Sequence, residues 1–191
     1  TSTDTTAGEK ERGTLETILT FPISRKELIF GKYLAISISG IVTLLIGVFL
    51  SIVSLYYVKN SFSIYDNVIF NINTITILLT ILILLFYTLF ISGLCITIAS
   101  FTKSFKEAQS ALTPISLVTC IPMFLEMLNI NISGLLSFIP IINHTIVINN
   151  ILTSSININN ILITIISSII YIIVLLLFIN KMYKSEKILF N

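Results

Sequence analysis

Charge is what this sequence has least of. Of its 191 residues only 10% are Asp, Glu, Lys or Arg, whereas 55% are hydrophobic, and the mean hydropathy is +1.01. Globular domains carry roughly 25% charged residues, so a water-soluble domain is excluded. The net charge of +2 gives no reason to expect a nucleic acid as partner. Cysteine is nearly absent too: Cys95 and Cys120 both fall inside apolar runs, where a disulfide scaffold is not expected and a small buried hydrophobe is. The single histidine, His144, has no Cys or acidic neighbour, which excludes a zinc motif and leaves an interfacial position as the simplest reading. There are no paired acids and no nucleophile beside a base, so an intramembrane enzyme is not indicated. Nor is there a G-x-x-x-x-G-K-[ST] phosphate loop, so any ATP chemistry belongs to another chain.

Long apolar runs are what the chain has instead. Four reach the roughly 20 residues that cross a bilayer as helix: 34–58, 75–101, 108–128 and 161–179. Lipid offers the backbone no hydrogen-bond partner, and these lengths suit helices rather than barrel strands. The expected fold is therefore all-α, a polytopic transmembrane helix bundle. Lys and Arg orient it. The head carries Lys10, Arg12, Arg25, Lys26 and Lys32, the middle loop Lys103 and Lys106, and the tail Lys181, Lys184 and Lys187. Only Lys59 lies elsewhere, so both ends and the middle loop are expected in the cytoplasm of a multi-pass cell-membrane protein. The opposite segment, 129–160, has no charged residue and is broken by Gly134, Pro140 and paired Asn. A re-entrant or interfacial hairpin over about 130–153 fits it.

The charge that exists is concentrated in residues 1–33. Thr6-Ala7-Gly8-Glu9 and Ser24-Arg25-Lys26-Glu27 both have capping-box spacing. They announce one helix from about Gly8 to Thr20 and another from Arg25 into the first span, separated by Phe21-Pro22-Ile23. Gly13 weakens the first of these by about 1 kcal/mol relative to Ala. Leu15, Ile18 and Leu19 share its apolar face, while Glu9, Lys10, Glu11 and Arg12 mix their signs. A membrane-surface helix is strongly basic on its polar face; this one is not. Docking into a protein groove and packing on the chain's own bundle both suit the pattern, and the residues leave the two open.

The stretch "DTTAGEKERGTLETILTFPISRKELIFGK" resembles the cytoplasmic segment of type-2 ABC exporter permeases, particularly the sodium-efflux (NatB-like) branch. Ile18-Leu19 replaces a frequent Leu-Leu. "SFTKSFKEAQSALTPISL" and "FIPIINHTIVINNIL" resemble the middle loop and outer region of the same family, so the likeness extends over nearly the whole chain. The resemblance implies six spans with a large extracytoplasmic insert after the first. The chain opens at Thr1 without Met or a signal-peptide pattern, and reads as a fragment whose two upstream spans and insert are missing. The resemblance also implies that the head is a coupling segment gripped by a separate ATPase subunit that binds the ATP and Mg, with a second permease subunit beside it. Matched residue by residue, Glu9, Lys10, Glu11, Arg12, Gly13, Thr14, Leu15 and Glu16 form the ATPase contact, with Leu15 and Leu19 filling a hydrophobic groove. Arg25, Lys26 and Lys32 are expected at the lipid headgroups. The implied activity is export, with sodium ions as the first substrate and drugs, peptides or lipids as alternatives; a non-transporting scaffold is the rival of a different class.

Candidate transport residues are few. Glu126 is the single acid within a span, and buried ionisable groups in membranes are functional hypotheses by default. It stands about 27 Å up the third span, close to the outer edge, where insertion costs little. Pro114 and Pro122 each remove a backbone hydrogen bond in that span, exposing carbonyls that Thr113, Ser116 and Thr119 could join around a cation. Static bends explain the prolines equally well.

Overall fold

A computed structural model describes residues 1–61, 73–127, 139–153 and 155–184, with side chains at all of these except 15, 16, 19, 59–61, 125–127, 183 and 184. The described residues are helical, with no strand. A π-helical turn, Asp4–Gly8, leads into α1 (Glu9–Glu11) and α2 (Thr14–Leu19). Five further helices follow: α3 (Arg25–Ser61), α4 (Thr74–Phe101), α5 (Phe105–Met127), α6 (Pro140–Leu152) and α7 (Ile158–Lys184).

Among the described residues, three helices are long and apolar enough to cross a membrane: Arg25–Val58, Thr74–Phe101 and Ile158–Met182. The first belongs to the helix expected from Arg25, which the Ser24 cap starts ahead of the apolar run at 34. The Ser24 N–H donates to Glu27 Oε2 at 2.9 Å and the Glu27 N–H donates to Ser24 Oγ at 3.3 Å, the reciprocal pair that a capping box predicts. At about 1.5 Å per residue α3 is longer than a 30 Å hydrocarbon core requires. Four spans were expected; within the third stretch, 108–127 is helical as part of α5, and its outer end lies outside the described residues.

The bundle is organised around α4, which packs on α3, α5, α6 and α7. At one end Ile29, Tyr33 and Ile36 of α3 meet Ile96 of α4 and Ile179 of α7. At the other, Ile83 of α4 meets Val147 and Ile151 of α6 and Ile161 of α7. Small residues permit the closest approaches, as is usual between membrane helices. A Cβ on Gly40 would lie 2.8 Å from Thr88 Cγ2, and one on Gly93 would lie 3.2 Å from Leu175 Cδ1. The remaining surface is apolar: Phe49, Tyr56, Leu117, Phe124 and Leu177 are all more than half exposed, as a lipid-bathed belt allows. Cys95 is half-buried, and Cys120 stands exposed on α5 rather than buried as expected.

α6 begins with Pro140 at its first position, where a missing N–H costs nothing. It packs against α4, α5 and α7. The other limb of the expected outer hairpin, 128–138, lies outside the described residues.

The head departs from expectation. One helix over Gly8–Thr20 is replaced by two short ones with a break at Gly13, whose φ of 69° is the left-handed conformation that glycine adopts without a Cβ penalty. The Thr6/Glu9 capping box does not form. Thr6 already lies within the π-turn, buried and with its hydroxyl unpartnered, while the Glu9 carboxylate is drawn to Lys32.

Candidate functional site

The head folds down onto the bundle at the corner where α4 ends, α5 begins and α3 starts its span. Its apolar foot is minimal: Ala7 is fully buried against Ala99 of α4 and Ala108 of α5. Three alanines bring the backbones close enough for short polar ties, and those ties hold the site together.

Lys10 and Glu11, adjacent in sequence and opposite in charge, read opposite helix ends. Lys10 Nζ donates to Ser100 O at 2.6 Å and Thr102 O at 3.4 Å, at the C-terminus of α4. Glu11 Oε2 accepts from the Phe105 N–H at 2.6 Å, at the N-terminus of α5. A helix leaves its last carbonyls and first amides unpaired and carries partial negative and positive charge there. A cation and an anion are thus each placed where the backbone favours them. Glu107 completes the α5 start, accepting from the Lys103 N–H at 2.8 Å, while Ser104 Oγ accepts from the Glu107 N–H at 3.2 Å.

Glu9 faces the other way, toward α3, in an ion pair with Lys32, whose ammonium also donates to Thr5 O at 2.8 Å. The Lys32 side chain is only 7% exposed and that of Glu9 23%. Lys32 was expected among lipid headgroups; it is instead the internal anchor of the head, because its stem turns inward along α3 to meet a carboxylate that needs a partner. Arg25 and Lys26 are exposed. Burial, and secondarily the neighbouring Lys32, hold the Lys10 ammonium below the ordinary lysine value of 10.5, with Glu107 opposing. Arg12 is more exposed and closes on its own segment, pairing with Asp4 and donating from Nε to Gly8 O at 3.1 Å.

Several residues of the second half of the head are exposed. Thr14 and Thr17 of α2 are exposed, as are Phe21 and Ile23 in the link to α3. Leu15, Glu16 and Leu19 lie on this short helix with side chains outside the described set. The eight residues expected to form one contact therefore divide. Glu9, Lys10, Glu11 and Arg12 are engaged within the chain, while Gly13 turns the backbone, Thr14 is exposed and the side chains of Leu15 and Glu16 lie outside the described residues. Of the two arrangements left open by the sequence, packing on the chain's own bundle describes the first half.

The transport candidates on α5 are not brought together. Thr113, Pro114 and Ser116 are exposed, Thr119 is half-buried and Pro122 is buried. Each hydroxyl donates within its own helix: Thr113 to Gln109 O at 3.2 Å, Ser116 to Thr113 O at 2.7 Å and Thr119 to Ser116 O at 2.8 Å. The Glu126 side chain lies outside the described residues. Among the described residues no cluster of His, Cys, Asp and Glu could hold a metal ion.

His144 was underread. It is buried at the α4–α6–α7 junction, its Nδ1 on Pro140 O, its Nε2 3.1 Å from Ser168 Oγ and its ring 5.3 Å from that of Tyr87. The signal available in the sequence was its position four residues after Pro140, where a first-turn carbonyl lies within reach.

These features define a multi-pass helical membrane protein with a polar head strapped to one end of its bundle. Residues 1–182 match the family model described as ABC-2 family transporter protein, and the chain belongs to that family of ABC transporter membrane subunits. It is 30% identical over 125 residues to ABC transporter permease protein NatB of Bacillus subtilis (strain 168), a match covering 63% of this chain and 31% of that protein. The match thus spans about a third of that relative's length. No solved structure matches the chain.

Proposed function

We propose that the chain is the membrane part of an ABC exporter permease whose residues 1–33 form a cytoplasmic coupling segment. In this reading α2 and the exposed Phe21–Ile23 link receive a separate ATPase subunit, which supplies ATP and Mg, and a second permease subunit completes the pathway. The observation that carries the reading is the braced first half of the head: Glu9 to Lys32, Lys10 to the end of α4, Glu11 to the start of α5. A push on α2 passes through those ties to three helices at once, with Gly13 as the pivot. Such a push biases the bundle only if the ATPase subunit interacts differently with inward- and outward-open packings. Sodium ions are the substrate placed first by the sequence resemblance; α5, with its exposed hydroxyls and two prolines, is the wall proposed to face them.

Two measurements test this. In co-purification of the full-length permease, Leu15→Asp with Leu19→Asp releases the ATPase subunit, whereas Lys10→Met leaves it bound but abolishes ATP-driven transport. Retention of the subunit by the double aspartate variant removes the docking assignment. ATP-dependent accumulation of labelled sodium in inverted vesicles holding the complex tests the substrate, and accumulation no greater than with an ATPase-dead subunit removes sodium from first place.

A further inference from the structure

We infer that His144 is a proton-binding site and that the proton it takes unseats α6 from α4 and α7. The site is closed by this chain alone. His144 is 1% exposed, and Thr164 and Ser168 of α7 are fully buried, so its contacts need no segment beyond the described helices. A proton is a ligand that needs no cavity.

Hydrogens counted along the contacts define what the site accepts. Pro140 O meets Nδ1, Nε2 stands 3.1 Å from Ser168 Oγ, and that oxygen lies 2.6 Å from Thr164 O. The carbonyls at the two ends only accept. A neutral imidazole and one hydroxyl bring two hydrogens to these three contacts; an imidazolium and the same hydroxyl bring three. In the neutral state Nδ1 donates to Pro140 O, and Ser168 donates either to Nε2 or to Thr164 O. When Nε2 takes a proton from water, Ser168 turns its hydrogen to Thr164 O and accepts from Nε2. No other bond changes, and no heavy atom of the three contacts has to move.

A countercharge is what the seated junction lacks. α6 packs against α4, α5 and α7 and has no other titratable residue. From α4, the Tyr87 ring lies 5.3 Å from the imidazole, and Cys120 of α5 acts electrostatically on Tyr87. Tyr171 of α7 is turned to Phe90. Lys106 and Glu107 of α5 and Lys181 of α7 lie at helix ends, about 20 Å along from Cys120 and Ser168. No described acid pairs with His144. A proton on Nε2 therefore leaves an unpaired charge in a dry junction, which is costly, and α6 relieves it by lifting toward water. Asn143 Nδ2, buried without an acceptor, adds a cost that the same movement releases.

Linkage sets the sign. An imidazole in water titrates near 6.5. Seating opposes its charge, so α6 is fully seated above that value and less so as pH falls below it. The test uses the full-length permease with its ATPase subunit in lipid nanodiscs, from about pH 8 down to about pH 5. Hydrogen exchange over residues 140–152, corrected for intrinsic rates, accelerates below about pH 6.5, by up to about tenfold per pH unit for one proton. In nitrogen-labelled histidine spectra the imidazolium signal that His144→Gln removes rises with it. His144→Gln, which keeps an amide opposite Ser168 but cannot titrate, flattens the exchange profile. Ser168→Ala loosens α6 at every pH and keeps the slope, as does Glu126→Gln without the loosening. A flat wild-type profile, a slope that survives His144→Gln or is lost with Glu126→Gln, or an imidazole that stays neutral while α6 opens overturns the inference. None of these readouts involves export, so they stand apart from the proposed function.

Discussion

α4 and α5 leave the same corner of the molecule, separated only by residues 102–104, yet they are held by different physics. α4 is wrapped by four helices, and its small residues let backbones touch. α5 is shorter, carries exposed hydroxyls, and has its first amide fixed by a carboxylate 94 residues away in sequence. One helix is positioned by packing, which is short-ranged and stiff. The other is positioned at its base by polar ties, which are directional and can be released. The lesson is that the head meets both helices at one corner, where it adds a tie to the packed end of α4 and sets the base of α5.

That contrast can be broken most severely at Lys32. Lys32→Met strands the Glu9 carboxylate in a largely buried site, and losing one member of a buried pair costs about 3–5 kcal/mol; the partial exposure of Glu9 sets the expectation at the lower end. Thermal unfolding in detergent should show the drop, and an unchanged midpoint would mean the pair contributes nothing. Next comes Gly40→Val, which drives a branched side chain into Thr88 and should cost about 1–3 kcal/mol by overpacking, again seen as a global loss. Glu11→Gln should leave the unfolding midpoint nearly unchanged, because it weakens a single cap worth about 1 kcal/mol. Its effect should appear as faster hydrogen exchange confined to the first turn of α5. Faster exchange throughout α4 as well would erase the distinction between the two helices.

The smallest expected effect is a pH slope. Burial lowers the Lys10 pKa below 10.5, so a detached head binds that proton more tightly than a docked one. Docking therefore strengthens as pH rises through the alkaline window that ends at 10.5. Hydrogen exchange at residues 5–11 should slow across that window, after correction for intrinsic rates, and Lys10→Met should remove the difference.

Much of this architecture was readable where the signal is local. The Ser24–Glu27 cap and the apolar spans each depend on residues a few positions apart, so spacing alone identifies them, whereas Pro140 was read as a break and starts α6. The Thr6–Glu9 spacing looked identical but failed. Its carboxylate had a stronger partner 23 residues on, and nothing in a four-residue window registers such competition. Lys32 was assigned to the lipid surface for the same reason. Residues in the head were correctly singled out as unusual, but their division into an inward and an outward half depends on one left-handed glycine and on which helix ends happen to meet.

The ties from Lys10 and Glu11 have a consequence for how the protein is made. Their partners, Ser100, Thr102 and Phe105, leave the ribosome about 90 residues later, a lag of roughly 5–20 s at ordinary synthesis rates. Through that interval the head is finished as polypeptide but has no seat, with Lys10, Glu11 and the alanine foot all unpaired. It is then the segment most open to proteases and chaperones, and its closure reports that the α4–α5 turn has been threaded.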